Sequence, residues 1–263
     1  MTLLRVRSWG IAGSVQDAGR PGRAWLGASR GGAVDLASLA LANRLVGNPE
    51  GATAFESSGG LVVELGEPAM VVVTGAVAEV HVDGGPPVGW GGPVVLPARA
   101  VLRIGRLLDG ARTYIAVRGG LALDGDVVRV GDDPGASAAT QAAPRTPRAA
   151  EVAVWPGPRL DWFGADAWDR LIGAAFTVTS TSRVGTRLAG SPLSRVRIEE
   201  LPSEGMVEGA VQVPPDGDPI VMLADHPTTG GYPVVAVVDP GDVGVVAQAA
   251  VGTTLRFRAV RVR

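Results

Sequence analysis

Two residue types are missing from this 263-residue sequence: it has no cysteine and no lysine, since all 24 basic residues are arginine. Without cysteine there is no disulfide, no thiol nucleophile and no thiolate metal site. Without lysine there is no P-loop lysine, no Schiff-base site and no residue to which biotin could be attached. The chain by itself therefore cannot perform these chemistries.

Histidine is also scarce, with His81 and His226 as its two occurrences, so a multi-histidine metal centre is excluded. The basic and acidic residues are scattered and give a formal net charge of −2, which does not favour binding to nucleic acid or a membrane surface. The apolar run at 69–78 has about half the length needed to span a bilayer, and Arg5 and Arg7 interrupt any signal-peptide core. We expect a cytoplasmic, soluble protein with no metal, nucleic-acid or membrane partner.

The residues that are abundant indicate a β-rich fold, since hydrophobic residues make up 46% of the chain and 38 glycines and 20 prolines punctuate it. Short runs of Val, Ile and Thr between turn-forming residues are typical of strands in sandwiches and barrels. The predicted strands are 3–7, 61–65, 70–74, 79–82, 93–96, 101–105, 112–117, 151–155, 176–180, 195–199, 210–213, 219–224, 232–238 and 253–260.

Helical spacing of apolar residues is limited to 35–46, with Asp35 as N-cap and Gly47 as C-terminal residue, and to the shorter stretch 166–172. A single turn is predicted near 243–249. The stretch 132–150 contains small residues and proline with no aliphatic larger than alanine, so it can contribute little to a core. We therefore predict an N-terminal domain at 1–131, a linker at 132–150 and a C-terminal domain at 151–263.

Two loops concentrate chemically useful residues. The first, GSVQDAGRPG at 13–22, places an amide, a carboxylate and a guanidinium between glycines, and equally suits a turn held by an Asp17–Arg20 pair. The second, DHPTTGGYP at 225–233, offers a histidine, two hydroxyls and glycine backbone N–H groups, and equally suits an ordinary hairpin loop. The G-x-S-x-G match at 27–31 lacks a preceding strand, which argues against a nucleophile elbow, and His81 on its strand is interpreted as structural.

These loops and several other segments, in this order, resemble the allophanate hydrolase subunit 2 family, which includes the C-type subunit of 5-oxoprolinase and the carboxyltransferase domain of urea carboxylase. Pro227 and the short loop after Gly120 depart from the family pattern. The matching segments are GSVQDAGRPG (13–22), GGAVDLASLALANRLVGN (31–48), FESSGG (55–60), YIAVRGG (114–120), WPGP (155–158), SEGMVEGAVQVPP (203–215) and LADHPTTGGYP (223–233).

The resemblance implies a mainly β fold with two cyclophilin-like β-barrel domains, each with one or two short helices. It implies a B-type subunit (allophanate hydrolase subunit 1-like) as partner, together with a third subunit in the 5-oxoprolinase case. It also implies ATP-driven opening of a lactam or amide, with ATP and Mg²⁺ as cofactors, and a chain that is inactive alone. The substrate stays open among 5-oxoproline, allophanate, urea and other amides.

Site residues follow from the same matching motifs. The resemblance implies catalytic roles for Asp17, Asp225 and His226, with Asp225 or His226 moving protons. Arg20 is expected to bind a carboxylate or phosphoryl group, and the second loop to donate hydrogen bonds to the same anion. The substrate-binding and anion-binding set is Gln16, Arg20, Thr228, Thr229, Gly230, Gly231 and Tyr232.

Two other functions remain open from the sequence. The chain could be the carboxyltransferase component of a biotin-dependent enzyme, in which case another chain must deliver carboxybiotin because no lysine is present here. It could instead be a regulatory protein that controls a kinase together with its B-type partner. Avidin-reactive partners would favour the first of these, and a heteromer without turnover that alters kinase activity would favour the second.

Overall fold

The computed structural model describes residues 3–124, 127–141, 151–197 and 199–260, which form a mainly β protein as predicted. Its α-helices are α1 (Leu36–Val46), α2 (Ala167–Gly173) and α3 (Val243–Ala247). Its strands are β1 (Leu3–Ser8), β2 (Ser14–Gln16), β3 (Ala54–Ser57), β4 (Val62–Leu65), β5 (Ala69–Val82), β6 (Val94–Leu96), β7 (Val101–Val117), β8 (Leu121–Asp124), β9 (Val127–Val130), β10 (Glu151–Pro156), β11 (Ala175–Thr181), β12 (Gly185–Ala189), β13 (Glu204–Gly205), β14 (Ala210–Gln212), β15 (Ile220–Met222), β16 (Thr229–Gly230), β17 (Val234–Val238) and β18 (Thr254–Ala259).

The chain divides into two compact units. The first contains Met1–Gly19 and Asp35–Thr146, and the second contains Arg20–Val34 and Pro147–Arg263. The grouping differs from the predicted limits in two respects. The segment 20–34 joins the second unit although it lies early in the chain, and residues 132–141 of the predicted linker are grouped with the first unit. The domain limits inferred from sequence, 1–131 and 151–263, stay a prediction.

The first unit is a nine-stranded, nearly closed β-barrel in which β5 and β7 form the longest antiparallel pair. Sequence patterns predict two short strands in place of each, but both strands continue through their glycines. Gly75 has a φ of 77° beside a register shift in β5, and Gly110 has a φ of 103° in β7. A residue in this conformation bends a strand without ending it, which explains the difference.

Helix α1 forms where the sequence predicts it and packs on β5 and β7. The Asp35 carboxylate accepts a hydrogen bond from the Ser38 N–H at 3.0 Å, and Gly47 ends the helix with a φ of 79°. A Cβ at Gly47 would lie 2.7 Å from Nη1 of Arg118, so both backbone conformation and space require glycine there. In the described part of the chain, none of the helices has the length and apolarity needed to cross a bilayer.

The second unit closes into a seven-stranded barrel with the order β10-β17-β14-β15-β12-β11-β18. Its interior is filled by alternate aliphatic residues of these strands and by Phe176 and Phe257, whose ring centroids are 5.6 Å apart. A separate two-stranded ladder pairs β13 with β16. The barrel therefore presents the loop that follows β15, at 223–228, beside this small ladder.

The predicted strand at 195–199 is wrong for the residues that the structure describes there. Arg195 forms an isolated bridge with Phe163, and Ile198 lies outside the described residues. Val196 is 63% exposed, so the Val-rich pattern here does not mark a side chain buried in a sheet. Several observed strands were not predicted because they are short, polar or contain glycine: β2, β3, β8, β9, β12, β13 and β16.

Candidate functional site in the second unit

The segment 20–34 is held to the rest of the second unit by hydrogen bonds from Arg30 and Gly31. The Arg30 guanidinium binds Glu208 through two bonds of 2.7 and 2.8 Å and also donates to the Ala33 carbonyl at 2.9 Å. The Gly31 N–H donates to the carbonyl of Ala224 at 3.0 Å, next to the second predicted loop. The Arg30–Glu208 pair is mostly buried, with side-chain exposures of 16% and 21%. The segment is therefore held next to the start of that loop.

Gly31 and Gly32 form the part of this segment that lies nearest to the charged residues. Both have left-handed backbone conformations, with φ values of 62° and 72°. A Cβ built on Gly31 would lie 3.8 Å from Nη2 of Arg20 and 3.9 Å from Oδ1 of Asp225. Arg20 and Asp225, both predicted site residues, therefore lie on the same side of Gly31.

Arg183 fixes the Asp225 carboxylate in place. Its Nε donates to one carboxylate oxygen at 2.7 Å and its Nη2 to the other at 3.1 Å, while Nη2 also donates to the Gly32 carbonyl at 2.7 Å. The Asp225 N–H in turn donates to the Arg183 carbonyl at 3.0 Å. Two-point contact with a guanidinium fixes the orientation of the carboxylate. The Asp225 side chain retains 37% exposure, so the carboxylate also faces solvent.

His226 is buried, with 6% of its surface exposed. Its Nδ1 lies 2.7 Å from the Pro227 carbonyl oxygen, which can only accept a hydrogen bond. Nδ1 therefore bears the proton, and Nε2 is the basic nitrogen of the neutral ring. The sequence prediction that His226 moves protons requires this Nε2 atom, and it stays a prediction.

The rest of the second loop is partly ordered by the small ladder. β16, which contains Thr229 and Gly230, pairs with β13, and the Met206 N–H donates to the Thr228 carbonyl at 2.9 Å. Some backbone groups expected to bind an anion are thus used within the protein. A Cβ at Gly230 would lie 2.7 Å from Cε of Met206, whereas Gly231 has no neighbour nearer than 3.5 Å. Gly231 is therefore the more open of the two glycines.

Tyr232 follows the loop with 45% of its surface exposed. The Arg195 guanidinium carbon lies 5.7 Å from the centroid of its ring, and Gln212 donates to its carbonyl at 3.0 Å. Burial lowers the pKa of Arg195, and the nearby Tyr232 and Asp216 act in the opposite direction. The backbone of Tyr232 is therefore fixed, while its ring lies partly in solvent.

Arg20 differs from Arg30 and Arg183, whose guanidinium groups bind carboxylates. Within the described ranges of the second unit, 20–34, 151–197 and 199–260, the Arg20 guanidinium forms no hydrogen bond or ion pair with another side chain. The backbone N–H of Arg20 donates to the Arg30 carbonyl at 2.7 Å, and its side chain is exposed. The Asp17 carboxylate accepts a hydrogen bond from the Gly19 N–H at 2.8 Å. Its pairing with Arg20 stays a prediction. A guanidinium in this state is available to an anion from solution.

Gln16 and Asp17 belong to the first unit. Gln16 donates to the Ser14 hydroxyl at 3.0 Å and ends strand β2, while Asp17 is exposed in the turn that follows. Within the second unit, Arg20 and Asp225 both lie beside Gly31, and His226 follows Asp225 directly in the chain. Their neighbours Arg183, Arg30 and Glu208 were missed from the sequence because single charged residues so far apart carry no local signal. In the described residues, no group of three or more His, Asp or Glu side chains could hold a metal ion.

A second polar cluster lies inside the first unit and contains Glu56, 1% exposed, and Tyr114, fully buried. The Tyr114 hydroxyl donates to Glu56 at 2.8 Å and accepts from the Asp35 N–H at 2.9 Å. Burial raises the pKa of Tyr114 well above its ordinary value, and the Glu56 and Asp35 carboxylates raise it further. The cluster therefore supports the start of α1 through the hydrogen bond between the Asp35 N–H and Tyr114.

Comparison with known proteins agrees with this architecture over almost the whole chain. The family model described as "Carboxyltransferase domain, subdomain A and B" matches residues 26–124 and 123–259. The C-type subunit of 5-oxoprolinase from Escherichia coli (strain K12) is 32% identical over 97% of this chain and 90% of its own length. The corresponding 5-oxoprolinase protein from Haemophilus influenzae is 32% identical over 94% of this chain and 88% of its own length.

Solved structures extend the comparison. The Kluyveromyces lactis urea carboxylase has a TM-score of 0.89 and covers 98% of this chain at 23% identity, so it shows the fold alone. This chain spans 27% of the length of that structure. A second solved structure is 31% identical to this chain with a TM-score of 0.87, and this chain spans 55% of its length. The urea amidolyase of Lachancea kluyveri is 25% identical over 96% of this chain, which spans 16% of its length.

Proposed function

Since the chain belongs to the family of carboxyltransferase domains with subdomains A and B, we propose that it is the C-type subunit of an ATP-dependent 5-oxoprolinase. The observation on which this rests is the 32% identity to the bacterial C-type 5-oxoprolinase protein across 97% of the chain and 90% of that relative. A match over nearly the full length of both proteins favours a shared activity over a shared domain alone. The urea amidolyase relatives, in contrast, are matched over 16% of their length.

The proposed reaction opens the lactam of 5-oxoproline to give glutamate. The γ-phosphoryl group of ATP is transferred to the lactam oxygen, and ADP leaves. One water then adds to the activated carbon, and the carbon–nitrogen bond breaks to give a protonated amine and an acyl phosphate. A second water hydrolyses the acyl phosphate to the glutamate carboxylate and phosphate. Arg20, whose exposed guanidinium lies beside Gly31, binds the substrate carboxylate or a phosphoryl oxygen. Asp225, oriented by Arg183, or Nε2 of His226 accepts a proton from the attacking water.

In this proposal ATP is a reactant and Mg²⁺ is its cofactor, and the chain binds them without a P-loop. The sequence has no lysine, so a phosphate group must be contacted by arginine, hydroxyl and backbone N–H groups. In the second unit, Arg20, Thr228, Thr229 and Gly231 have the right chemistry for such contacts. Asp225 is the carboxylate that could bind the metal ion through water.

The partner in this proposal is a B-type subunit, and a third protein completes the enzyme. A multi-subunit enzyme is supported by both bacterial relatives, each of which is named as a subunit of 5-oxoprolinase. The segment 20–34 also exposes two large apolar side chains in succession, Trp25 at 81% and Leu26 at 60%. Exposed tryptophan is frequent at the centre of protein interfaces, so these two residues are the candidate contact.

ATP-dependent release of glutamate from 5-oxoproline tests the proposal. The chain would be assayed alone and after reconstitution with the B-type and third subunits from the same genome. Turnover is expected in the complete mixture and not with the chain alone. An intact heteromer without turnover would contradict the proposal, and a change in kinase activity caused by that heteromer would instead support the regulatory function.

His226→Asn separates the two proton acceptors in the active complex. Asparagine cannot act as a base near neutral pH, whereas its amide can still donate to the Pro227 carbonyl. A strong loss of turnover would show that His226 accepts the proton from the attacking water. An unchanged rate would remove His226 from the mechanism and leave Asp225 as the acceptor, which Asp225→Asn would then test.

A second candidate function is favoured by the family description and by the urea amidolyase relatives. In this case the chain transfers a carboxyl group from carboxybiotin to an amide. Biotin must then arrive on another chain, because no lysine is present here. Avidin blotting of proteins that copurify with the chain tests this, since a biotinylated partner would support carboxyl transfer and its absence from an active complex would exclude it.

A further inference from the structure

A cavity of about 430 Å³ opens in the first unit between strands β1, β4 and β9 and the turn before β7. It lies wholly within that unit and contains none of the residues assigned above to the reaction. The residues that matter for its chemistry are Leu3, Arg5, Glu64, Leu65, Arg99 and Val127.

Among the described residues that line this cavity, arginine outnumbers acidic residues. Glu64 is the acidic residue among the described residues that line the cavity. Its carboxylate accepts a hydrogen bond at 3.0 Å from Arg7, which lies outside the cavity. In the described ranges, neither Arg5 nor Arg99 has an ion pair or hydrogen bond from its guanidinium, and both side chains are exposed. Two guanidinium groups are therefore available on one cavity, which favours an anionic ligand.

The backbone does not explain the presence of arginine at position 99. Arg99 has a φ of 67°, a left-handed conformation in which glycine is favoured over other residues. Its N–H donates to the Leu65 carbonyl at 2.7 Å, so the turn needs this conformation whatever side chain is attached. The turn would be more stable with glycine, and the contribution of arginine is its guanidinium beside the cavity.

The cavity also has an apolar part. Leu3 and Val127 are 45% and 39% exposed, while Leu65 beneath them is buried. An apolar group placed here would cover hydrophobic surface that otherwise contacts water. We propose that the cavity binds a small amphipathic carboxylate, with its anion on Arg5 and Arg99 and its hydrocarbon part on Leu3 and Val127.

Calorimetric titration of the full chain with octanoate tests this site, with inorganic phosphate and 1-octanol as the charge-only and apolar-only probes. We expect saturable binding of one octanoate, and binding at least about 10-fold weaker for each of the other two probes. Arg99→Gly and Arg5→Gln should each weaken octanoate binding by about 10-fold, since each loses one charge-assisted contact. Arg103→Gln, which removes an exposed arginine of the same sheet outside the cavity, should leave it unchanged.

The Arg99→Gly variant also guards against loss through misfolding. Its melting temperature should equal or exceed that of the wild type, because glycine relieves the left-handed conformation. Failure of the wild type to saturate, equal binding of any control probe, or equal weakening by Arg103→Gln would overturn the proposal. None of these measurements depends on the 5-oxoprolinase assay.

Discussion

At the scale of single residues, Arg183 makes the contacts that orient the candidate site in the second unit. One guanidinium serves both oxygens of Asp225 and the carbonyl of Gly32, so it orients a candidate catalytic group and the glycine backbone beside it. Arginine suits this position because its planar group presents several N–H donors in fixed directions. Lysine would keep the charge but could not reproduce this geometry.

Substitution of Arg183 tests this role. Arg183→Ala leaves the Asp225 carboxylate and the Gly32 carbonyl without their donor, so unfolding free energy should fall by about 1–3 kcal/mol. Turnover of the reconstituted complex should fall by about 10²-fold, because the reacting group loses its orientation. Arg183→Lys should recover stability more than turnover, and Arg187→Ala, an exposed residue of β12, should change neither. Equal recovery of both quantities would argue for a purely structural Arg183.

Tyr114 gives a prediction for stability and pH. Tyr114→Phe removes the donor to Glu56 and the acceptor for the Asp35 N–H, which should cost about 1–3 kcal/mol of unfolding free energy. The pKa of Tyr114 is raised on folding, so its contribution is complete below the unfolded pKa and is lost as pH rises above about 10. Chemical denaturation at pH 8 to 11 should therefore show a steeper decline for the wild type than for the variant. Tyr232→Phe, at an exposed ring, is the matched control, and equal slopes in all three proteins would contradict the prediction.

At the scale of elements, the segment 20–34 belongs to the second unit, whose barrel is formed by seven of the strands β10 to β18, far along the chain. The Arg30–Glu208 pair joins positions 178 residues apart and is mostly buried, so its bonds are less screened than those of a surface pair. This attachment places Gly31 next to Asp225, which makes the ion pair a condition for the geometry of the candidate site.

Glu208→Gln should loosen this segment. The neutral amide cannot replace a two-point ion pair, so we expect about 1–3 kcal/mol of lost stability and faster trypsin cleavage after Arg20 or Arg23. Glu50→Gln is the matched control, since it breaks the exposed Arg44–Glu50 pair, whose side chains are 55% and 61% exposed. Unchanged cleavage in Glu208→Gln, measured by mass spectrometry of timed digests, would show that other contacts hold the segment.

At the scale of the whole molecule, the proposed function needs other subunits, and the candidate surface for binding them is formed by Trp25 and Leu26. Trp25→Ser should weaken association with the B-type subunit by about 2 kcal/mol, equivalent to roughly 30-fold in Kd, if the ring is an interface anchor. Analytical ultracentrifugation of the two chains measures this, with unfolding temperature as a check on the fold. Val251→Ser, at an exposed apolar residue elsewhere in the same unit, is the control. Equal affinities of Trp25→Ser and the wild type would place the interface elsewhere.

The sequence by itself determined the fold class and the excluded chemistries. Strands appeared where Val and Ile alternate or cluster, and α1 appeared with its predicted Asp35 and Gly47 ends, because these signals depend on neighbouring residues. The missing lysine and cysteine ruled out covalent biotin and thiol chemistry for any conformation. The matching motifs indicated the family that the comparisons then showed.

Tertiary structure alone decided which charged residues meet. Arg183 with Asp225, and Arg30 with Glu208, are pairs separated by 42 and 178 residues, and no local pattern selects one partner among the many acids. It also decided that 20–34 joins the second unit, through the contacts of Arg30 with Glu208 and of Gly31 with Ala224. The continuation of β5 and β7 through their glycines follows from the pairing of these two strands with each other. Local propensity fixes what a segment can form, whereas long-range hydrogen bonds and ion pairs fix where its side chains lie.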